Sequence, residues 1–166
     1  MRIIGIDPGY AIIGFGVVDH DKSKFSPVGF GAITTKAHTD FDERLKIIYD
    51  DICSVLDTYK PEQMAIEKLF FNTNQKTAID VAQARGIIVL AAAQRGIPIT
   101  EYTPLQVKNS VVGYGRAEKK QVMTMVTSLL RLKQGPKPDD TADAVAIAIC
   151  HAQSSGSAMG KYFNRR

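Results

Sequence analysis

The sequence predicts an α/β protein built on one mixed five-stranded sheet with helices on its faces. Three strand-like segments come first, at residues 2–7, 12–19 and 25–35, and the short turns between them are typical of an antiparallel meander. Two more strand-like segments, at about 63–67 and 97–102, alternate with helical patterns, which places helices against the sheet. A crossover helix before the fourth strand would let that strand run parallel to the first one, so that both end at the same sheet edge.

The first two predicted helices follow from apolar spacing and from end signals. Thr39 can cap a helix that ends before Pro61. The apolar residues of this helix recur at helical spacing: Leu45, Ile48, Ile52, Val55 and Leu56. A second helix is predicted over residues 75–95, and Gly96 directly after it is typical of a helix end.

Three more helices are predicted after the last strand. The segment "TPLQ" at residues 103–106 has the form of a capping box with proline at the first helical position, so it predicts a short helix that carries Lys108. The others are predicted at about residues 117–131 and 140–152. We expect one domain at residues 1–153, followed by a poorly ordered basic tail at residues 154–166, where serine, glycine and two terminal arginines occur.

Composition favours a single domain in a reducing compartment. The chain has 166 residues, of which 45% are apolar, and this is enough for one hydrophobic core. Cys53 and Cys150 lie in apolar helical patterns, which indicates buried thiols rather than a disulfide. The first residues lack a signal-peptide pattern, and the apolar run at residues 87–93 is too short to cross a bilayer. We therefore expect a cytoplasmic protein with no membrane association.

Charge gives a weak indication of the partner. The formal net charge is +4 and the isoelectric point is near 9.1. This small positive excess favours a polyanionic ligand. The cysteines and histidines have no zinc-site spacing. His20, His38 and His151 are scattered along the chain, and we interpret them as structural or solvent-facing.

Acidic residues end two of the predicted strands. Asp7 follows the apolar run of the first strand in "GIDPG", and Glu67 ends the strand "QMAIE". Each acid also has a purely structural explanation, because Asp-Pro-Gly is common turn chemistry and a glutamate at a strand end is often a surface residue. If the two strands are parallel neighbours, both side chains project from one edge of the sheet, where open α/β sheets bind their ligands.

Two more acids lie near the start of the last predicted helix, in "DDTADAVAIAI". Asp140 and Asp143 are three residues apart and share a helix face, although Asp139 could instead pair with Asp143 at a spacing of four. Capping by Asp139 and compensation of the helix dipole by Asp140 are structural alternatives. Asp143 lies deeper in the helix and is harder to explain in that way.

Four carboxylates at one site would indicate a metal centre. Clustered carboxylates repel one another and raise one another's pKa unless a cation lies between them. Oxygen-only ligands favour Mg²⁺ or Mn²⁺, and two such ions suit the attacking and leaving oxygens of a phosphodiester displacement. The sequence therefore favours the hypothesis of a metal-dependent nuclease.

Five segments resemble one known protein family. They are "GIDPG" at residues 5–9, "IEKLFF" at 66–71, "QARG" at 83–86, "QVKNSVVGYGRAEKKQV" at 106–122 and "DDTADAVAIAICH" at 139–151. In this order they resemble the bacterial RuvC family of Holliday junction resolvases, from residue 1 to about residue 153. The resemblance implies an RNase H-like fold and a homodimer that nicks four-way DNA junctions symmetrically in homologous recombination and DNA repair. It also implies 5′-phosphate and 3′-hydroxyl ends.

The resemblance further implies the catalytic acids. By position, the four metal ligands of the family fall on Asp7, Glu67, Asp140 and Asp143, so the family pattern selects Asp140 over Asp139. The implied cofactor is Mg²⁺, with two ions per active site when substrate is bound and Mn²⁺ as a substitute.

Basic residues in the same motifs are candidates for DNA contacts. Lys108 and Lys119 match lysines of the family near the DNA and the active site, where a cation would neutralise growing phosphate charge. Lys120, Arg116 and Lys76 are further candidate phosphate contacts, although a solvated helix face is the favoured explanation for Lys120 and Lys76 could simply be exposed.

Two adjacent aromatic residues follow the second acidic strand. Phe70 and Phe71 cannot both face the core of an extended segment, so one is available to stack on an unpaired base. Position in the family motif favours Phe70. A structural alternative is that both rings cover a loop under the following helix.

The helix at residues 75–95 carries small residues at intervals of four, Ala78, Ala82 and Gly86, followed by an apolar run. Such a stripe permits close packing either in the core or across a two-fold dimer interface, and a dimer would present two equivalent sites to a four-way junction. The resemblance also implies the RuvA–RuvB branch-migration complex as a partner.

Three alternative functions have discriminating features. Another RNase H-like nuclease, such as the YqgF type, would share the opening aspartate but not the full motif at residues 106–122. An actin-like ATPase or sugar kinase needs a second phosphate-binding half, for which 166 residues leave no room. A non-catalytic junction-binding module would not benefit from four acids beside a phosphate backbone.

Overall fold

The computed structural model describes residues 1–69 and 75–155, and its five strands form one mixed sheet. The strands are β1 (Arg2–Asp7), β2 (Ile12–Asp21), β3 (Lys24–Thr34), β4 (Gln63–Glu67) and β5 (Ile99–Tyr102), in the spatial order β3-β2-β1-β4-β5. β1, β2 and β3 pair antiparallel, whereas β4 runs parallel to β1 and to β5. The predicted mixed sheet with an antiparallel meander is therefore confirmed.

Within the described residues, five helices cover the two faces of this sheet. They are α1 (Phe41–Tyr59), α2 (Gln75–Gln94), α3 (Pro104–Val112), α4 (Lys119–Leu129) and α5 (Asp139–Ser155). One core cluster joins Ile4 and Ile6 of β1 to α1 and α2, and the other joins Ile3 of β1 to α3, α4 and α5. Successive side chains of β1 thus pack into opposite core layers, because side chains alternate across a strand. None of the helices within the described ranges combines the length and apolarity that a bilayer span needs.

Several predicted element boundaries need correction. Asp40 rather than Thr39 is the N-cap residue of α1, and its side chain makes no capping hydrogen bond. The last strand begins at Ile99 instead of residue 97, because the main-chain N–H of Ile97 still donates to Ala92 at the end of α2 (3.1 Å). α5 continues through Ser155, two residues beyond the predicted domain boundary at residue 153, and residues 156–166 lie outside the described part of the chain.

The predicted start of α3 is confirmed in detail. Thr103 accepts a hydrogen bond from the main-chain N–H of Gln106, and the Gln106 side chain accepts one from the main-chain N–H of Thr103. Pro104 follows at the first helical position, where its missing N–H costs nothing. This capping box fixes the direction in which α3 leaves β5.

Glycines in β1 and β2 allow α5 to lie directly on the sheet. A Cβ atom on Gly5 would lie 2.0 Å from the carbonyl oxygen of Ala144, and one on Gly16 would lie 2.4 Å from Val145 Cγ2. A Cβ on Gly14 would lie 2.0 Å from the carbonyl oxygen of Asp140. Any side chain at these positions would push α5 away, so the glycines set the distance between this helix and the sheet.

One buried polar group of this layer is the imidazole of His151, near the end of α5. Its Nδ1 lies 2.9 Å from the Tyr102 hydroxyl and its Nε2 lies 2.6 Å from Gln63 Oε1, so both ring nitrogens are satisfied. Burial lowers the pKa of His151 to about 4. Its role is structural, as the sequence suggested. Cys53 and Cys150 are both free thiols.

Candidate active site

Asp7 and Glu67 lie at the same edge of the sheet. Ile6 of β1 is paired with Ile66 of β4 in parallel register, so the next residue of each strand, Asp7 and Glu67, emerges at the shared carboxyl edge. Residues 3–6 of β1 and 64–66 of β4 are buried, and each acid is only partly exposed. The apolar strands therefore carry two carboxylates to the boundary between core and solvent.

Gly14 brings the start of α5 to the same edge. Gly14 is the β2 partner of Asp7, and the backbone of Asp140 lies directly against it. Because β2 has no side chain here, the first turn of α5 sits over the end of β1. Asp140 and Asp143 both occupy partly exposed positions on this part of the helix, whereas the intervening Thr141 and Ala142 are buried.

The four carboxylates interact with one another through their charges. The pKa of Asp7 is raised from 3.8 to about 7, and burial is the largest cause. The charges of three neighbouring carboxylates contribute to the same rise: Glu67, Asp143 and Asp140. The Lys119 ammonium acts in the opposite direction. An aspartate with a pKa of about 7 is poorly stabilised as an anion, which is the condition that a bound cation relieves.

The ionised form of Glu67 is destabilised in the same way. Burial raises the pKa of Glu67, and the charge of Asp143 adds to this effect. Lys108 and Lys119 lower it in part, which locates both ammonium groups near the carboxyl edge. The predicted lysines thus lie in the electrostatic environment of the predicted acids.

Lys119, the first residue of α4, bridges to α5. Its Nζ lies 2.9 Å from Asp143 Oδ2 and 3.7 Å from Asp139 Oδ2. Burial alone would lower the pKa of Lys119, but the hydrogen bond to Asp143 and the charges of Asp143, Asp139 and Asp140 raise it overall. Lys119 therefore remains protonated and partly neutralises the acidic edge.

The donor chemistry of the edge suits a hard divalent cation, because every candidate ligand is a carboxylate oxygen. Among the residues that the structure describes, no group of three or more His, Cys, Asp or Glu side chains is already close enough to hold a metal ion. The acids interact through their charges, and one of them, Asp143, is instead bonded to Lys119.

The structure describes only some of the remaining predicted DNA contacts. Arg116 is exposed in the loop between α3 and α4, and Lys120 is exposed in the first turn of α4. Lys76 belongs to α2, but its side chain lies outside the described part of the structure. Phe70 and Phe71 lie outside the described residues altogether.

Sequence reasoning missed two features of this site. The first is the packing of α5 on Gly14, for which the alternating glycines of "GFG" at residues 14–16 were an available signal. The second is Arg85 of α2, which pairs with Glu101 and contacts the main chain of Glu67. Its only sequence signal was its place in the "QARG" motif.

Comparison with known proteins identifies the family. The family model described as "Crossover junction endodeoxyribonuclease RuvC" matches residues 3–151. The chain belongs to this family. The RuvC protein of Brevibacillus brevis is 58% identical over 153 residues, which is 92% of each chain. That of Clostridioides difficile strain 630 is 56% identical over 155 residues, covering 93% of this chain and 92% of the relative.

A solved RuvC structure shares the whole architecture. The structure of Thermus thermophilus RuvC in complex with Holliday junction substrate superimposes with a TM-score of 0.87 at 33% identity, covering 96% of this chain and 97% of the other. The RNase H-like resolvase fold expected from the sequence is therefore confirmed. Membership of the RuvC family also makes the chain a nuclease, a hydrolase that cuts DNA.

Proposed function

We propose that this protein resolves four-way DNA junctions by paired symmetric nicks, giving 5′-phosphate and 3′-hydroxyl ends, in homologous recombination and DNA repair. The observation that carries the proposal is the acidic sheet edge in a chain of the RuvC family. Asp7 and Glu67 emerge side by side from β1 and β4, and α5 adds Asp140 and Asp143 from above.

These four acids are the ligand set that we assign to the divalent metal. Nucleases of the family depend on divalent ions in general, and the all-oxygen donors favour Mg²⁺, with Mn²⁺ as a substitute. When bound, two such ions would activate water and stabilise the departing 3′ oxygen. The chain itself contributes the rigid strand ends that fix Asp7 and Glu67 relative to the phosphate.

Lys119 and Lys108 have a separate task in this proposal. The Lys119 ammonium is held at the edge by Asp143, and Lys108 acts on Glu67 from α3. Both would lie beside the scissile phosphate and stabilise the charge that grows in the transition state. Arg116, exposed in the loop between α3 and α4, and Lys120, exposed in the first turn of α4, would contact phosphates further along the arm.

A homodimer would place two such sites on one junction. Ile79 is 64% exposed and Leu90 is 48% exposed on α2, and a Cβ on Gly86 between them would meet no atom of the described residues within 4 Å. These residues recur at helical spacing and form an uncovered apolar stripe with a small residue at its centre. A second copy of the same helix is the partner that we assign to this face, with two-fold symmetry. By family resemblance, the RuvA–RuvB complex is a further partner in the cytoplasm.

The decisive experiment measures nicking of a synthetic mobile four-way junction by the wild type and by Asp7→Asn, with Mg²⁺ and with EDTA. We expect symmetric, Mg²⁺-dependent cuts by the wild type and none by the variant, which should still bind the junction. A linear duplex of the same sequence is the control substrate. Junction binding without any cutting by the wild type would instead favour a non-catalytic binding module.

A further inference from the structure

Arg85 connects α2 to the strand that carries Glu67. Its guanidinium forms an ion pair with the carboxylate of Glu101 on β5, and both side chains are largely covered, with 19% and 30% exposure. Its Nε also donates to the main-chain oxygen of Glu67 at 3.5 Å. One side chain thus reaches two adjacent strands at their shared carboxyl edge.

The contact falls where β4 ends. Glu101 and Tyr102 of β5 are the parallel partners of Ile66 and Glu67, and the main-chain N–H of Lys68 donates to the oxygen of Tyr102 at 2.8 Å. The sheet holds the Glu67 backbone from one side through this ladder. Arg85 holds it from the helical side, directly at the residue whose carboxylate points into the acidic edge.

We propose that Arg85 is a positioning residue for Glu67. It fixes the peptide that follows Glu67 Cα and thereby the direction of the carboxylate toward Asp7, Asp140 and Asp143. This inference rests on the proposed function, because Glu67 needs a defined direction only if it is a metal ligand.

The chemistry of arginine suits this task. Its planar fork donates to two acceptors in fixed relative directions, which a lysine ammonium on a flexible stem does not do. The pairing with Glu101 in turn holds the guanidinium plane, so the contact to Glu67 is oriented at both ends. Removal of such supporting groups around a metal site costs about 10- to 100-fold in metal affinity or activity.

The test compares Arg85→Met with Arg95→Met. Arg95 follows the same helix and also forms a two-point ion pair, with Asp57 Oδ1 at 2.7 Å and Oδ2 at 2.9 Å, but on the α1 side of the molecule. Arg95→Met therefore removes a similar ion pair without touching the acidic edge. Three quantities are measured for each variant: Mn²⁺ affinity without DNA by electron paramagnetic resonance, single-turnover nicking of the four-way junction, and junction affinity in EDTA.

We expect Arg85→Met to weaken Mn²⁺ binding and to slow nicking by about 10- to 100-fold each, while junction affinity stays within about 3-fold of the wild type. Arg95→Met should match the wild type in all three measurements. Arg85→Lys should recover only part of the loss, because an ammonium group lacks the planar fork.

Two results would overturn the inference. The first is an Arg85→Met protein with wild-type Mn²⁺ affinity and nicking rate. The second is a loss that merely tracks the unfolded fraction, judged from the melting temperatures of both methionine variants. A wild type that never cuts would overturn the proposed function itself, and with it the assignment of Glu67, so the two failures are distinguishable.

Discussion

Asp7→Asn should stabilise the metal-free protein at alkaline pH. The pKa of Asp7 is raised from 3.8 in the unfolded chain to about 7 in the folded state. Between these two pH values, Asp7 is protonated in the folded protein and ionised in the unfolded chain. That proton stabilises the fold at low pH, and the stabilisation disappears as the pH rises through about 7. An asparagine is uncharged throughout and removes this pH dependence.

The magnitude follows from the two pKa values. Protonation of Asp7 contributes roughly 2–3 kcal/mol to the free energy of unfolding at about pH 5 and almost nothing at about pH 8. At roughly 2–4 °C per kcal/mol for a chain of this size, the wild type should lose about 5–10 °C more than Asp7→Asn between these two pH values.

The assay is thermal or urea unfolding of both proteins in EDTA at the two pH values. Other groups titrate in the same interval, so the quantity that matters is the difference between the two proteins. Parallel changes in wild type and variant would refute the reasoning, because Asp7 would then be charged in the folded state at little cost. Adding Mg²⁺ at the higher pH should raise the stability of the wild type more than that of the variant.

Four further predictions concern other parts of the molecule. Lys119→Ala should slow nicking by about 10²-fold while junction affinity at moderate salt changes far less; an equal loss of both would argue for simple phosphate binding. Gly14→Ala should lower the free energy of unfolding by about 1–3 kcal/mol or more and reduce cutting, because its Cβ would lie 2.0 Å from the Asp140 oxygen; unchanged urea unfolding would contradict this. Burial lowers the pKa of His151 from 6.5 to about 4, so its contribution to the free energy of unfolding is present above pH 6.5 and is lost as the pH falls toward 4. In urea unfolding at a series of pH values, His151→Gln should therefore lose less stability than the wild type as the pH falls. An equal loss in both proteins would show that His151 is not its source. Leu90→Glu should shift the protein to a monomer in analytical ultracentrifugation, and an unchanged sedimentation coefficient would place any dimer contact elsewhere.

The acids at the sheet edge were predictable because they interrupt apolar strands. "RIIGID" and "QMAIE" each run from buried residues into one carboxylate, and strand periodicity alone indicates where such a side chain emerges. The parallel pairing that joins Asp7 to Glu67 followed from the crossover helix between the strands. These are local patterns with a global consequence, so one sequence suffices to find them.

Features that depend on the approach of distant elements could not be predicted in the same way. The distance of α5 from the sheet depends on Gly14, 126 residues before Asp140, and no local pattern links the two. Arg85 lies in a helix whose periodicity gives no information about Glu101 on the next strand. The pairing of Lys119 with Asp143, rather than an open cluster of acids, likewise depends on how α4 meets α5.

The glycines beneath α5 have a genetic consequence. Every missense change at Gly5, Gly14 or Gly16 adds at least one carbon atom where atoms of α5 already lie within 2.4 Å of the new position. A screen for alleles that abolish junction cutting should therefore recover these three codons as readily as those of the acids. Such alleles would keep all the charged groups and would tend to be temperature-sensitive, because heat adds to the strain between helix and sheet.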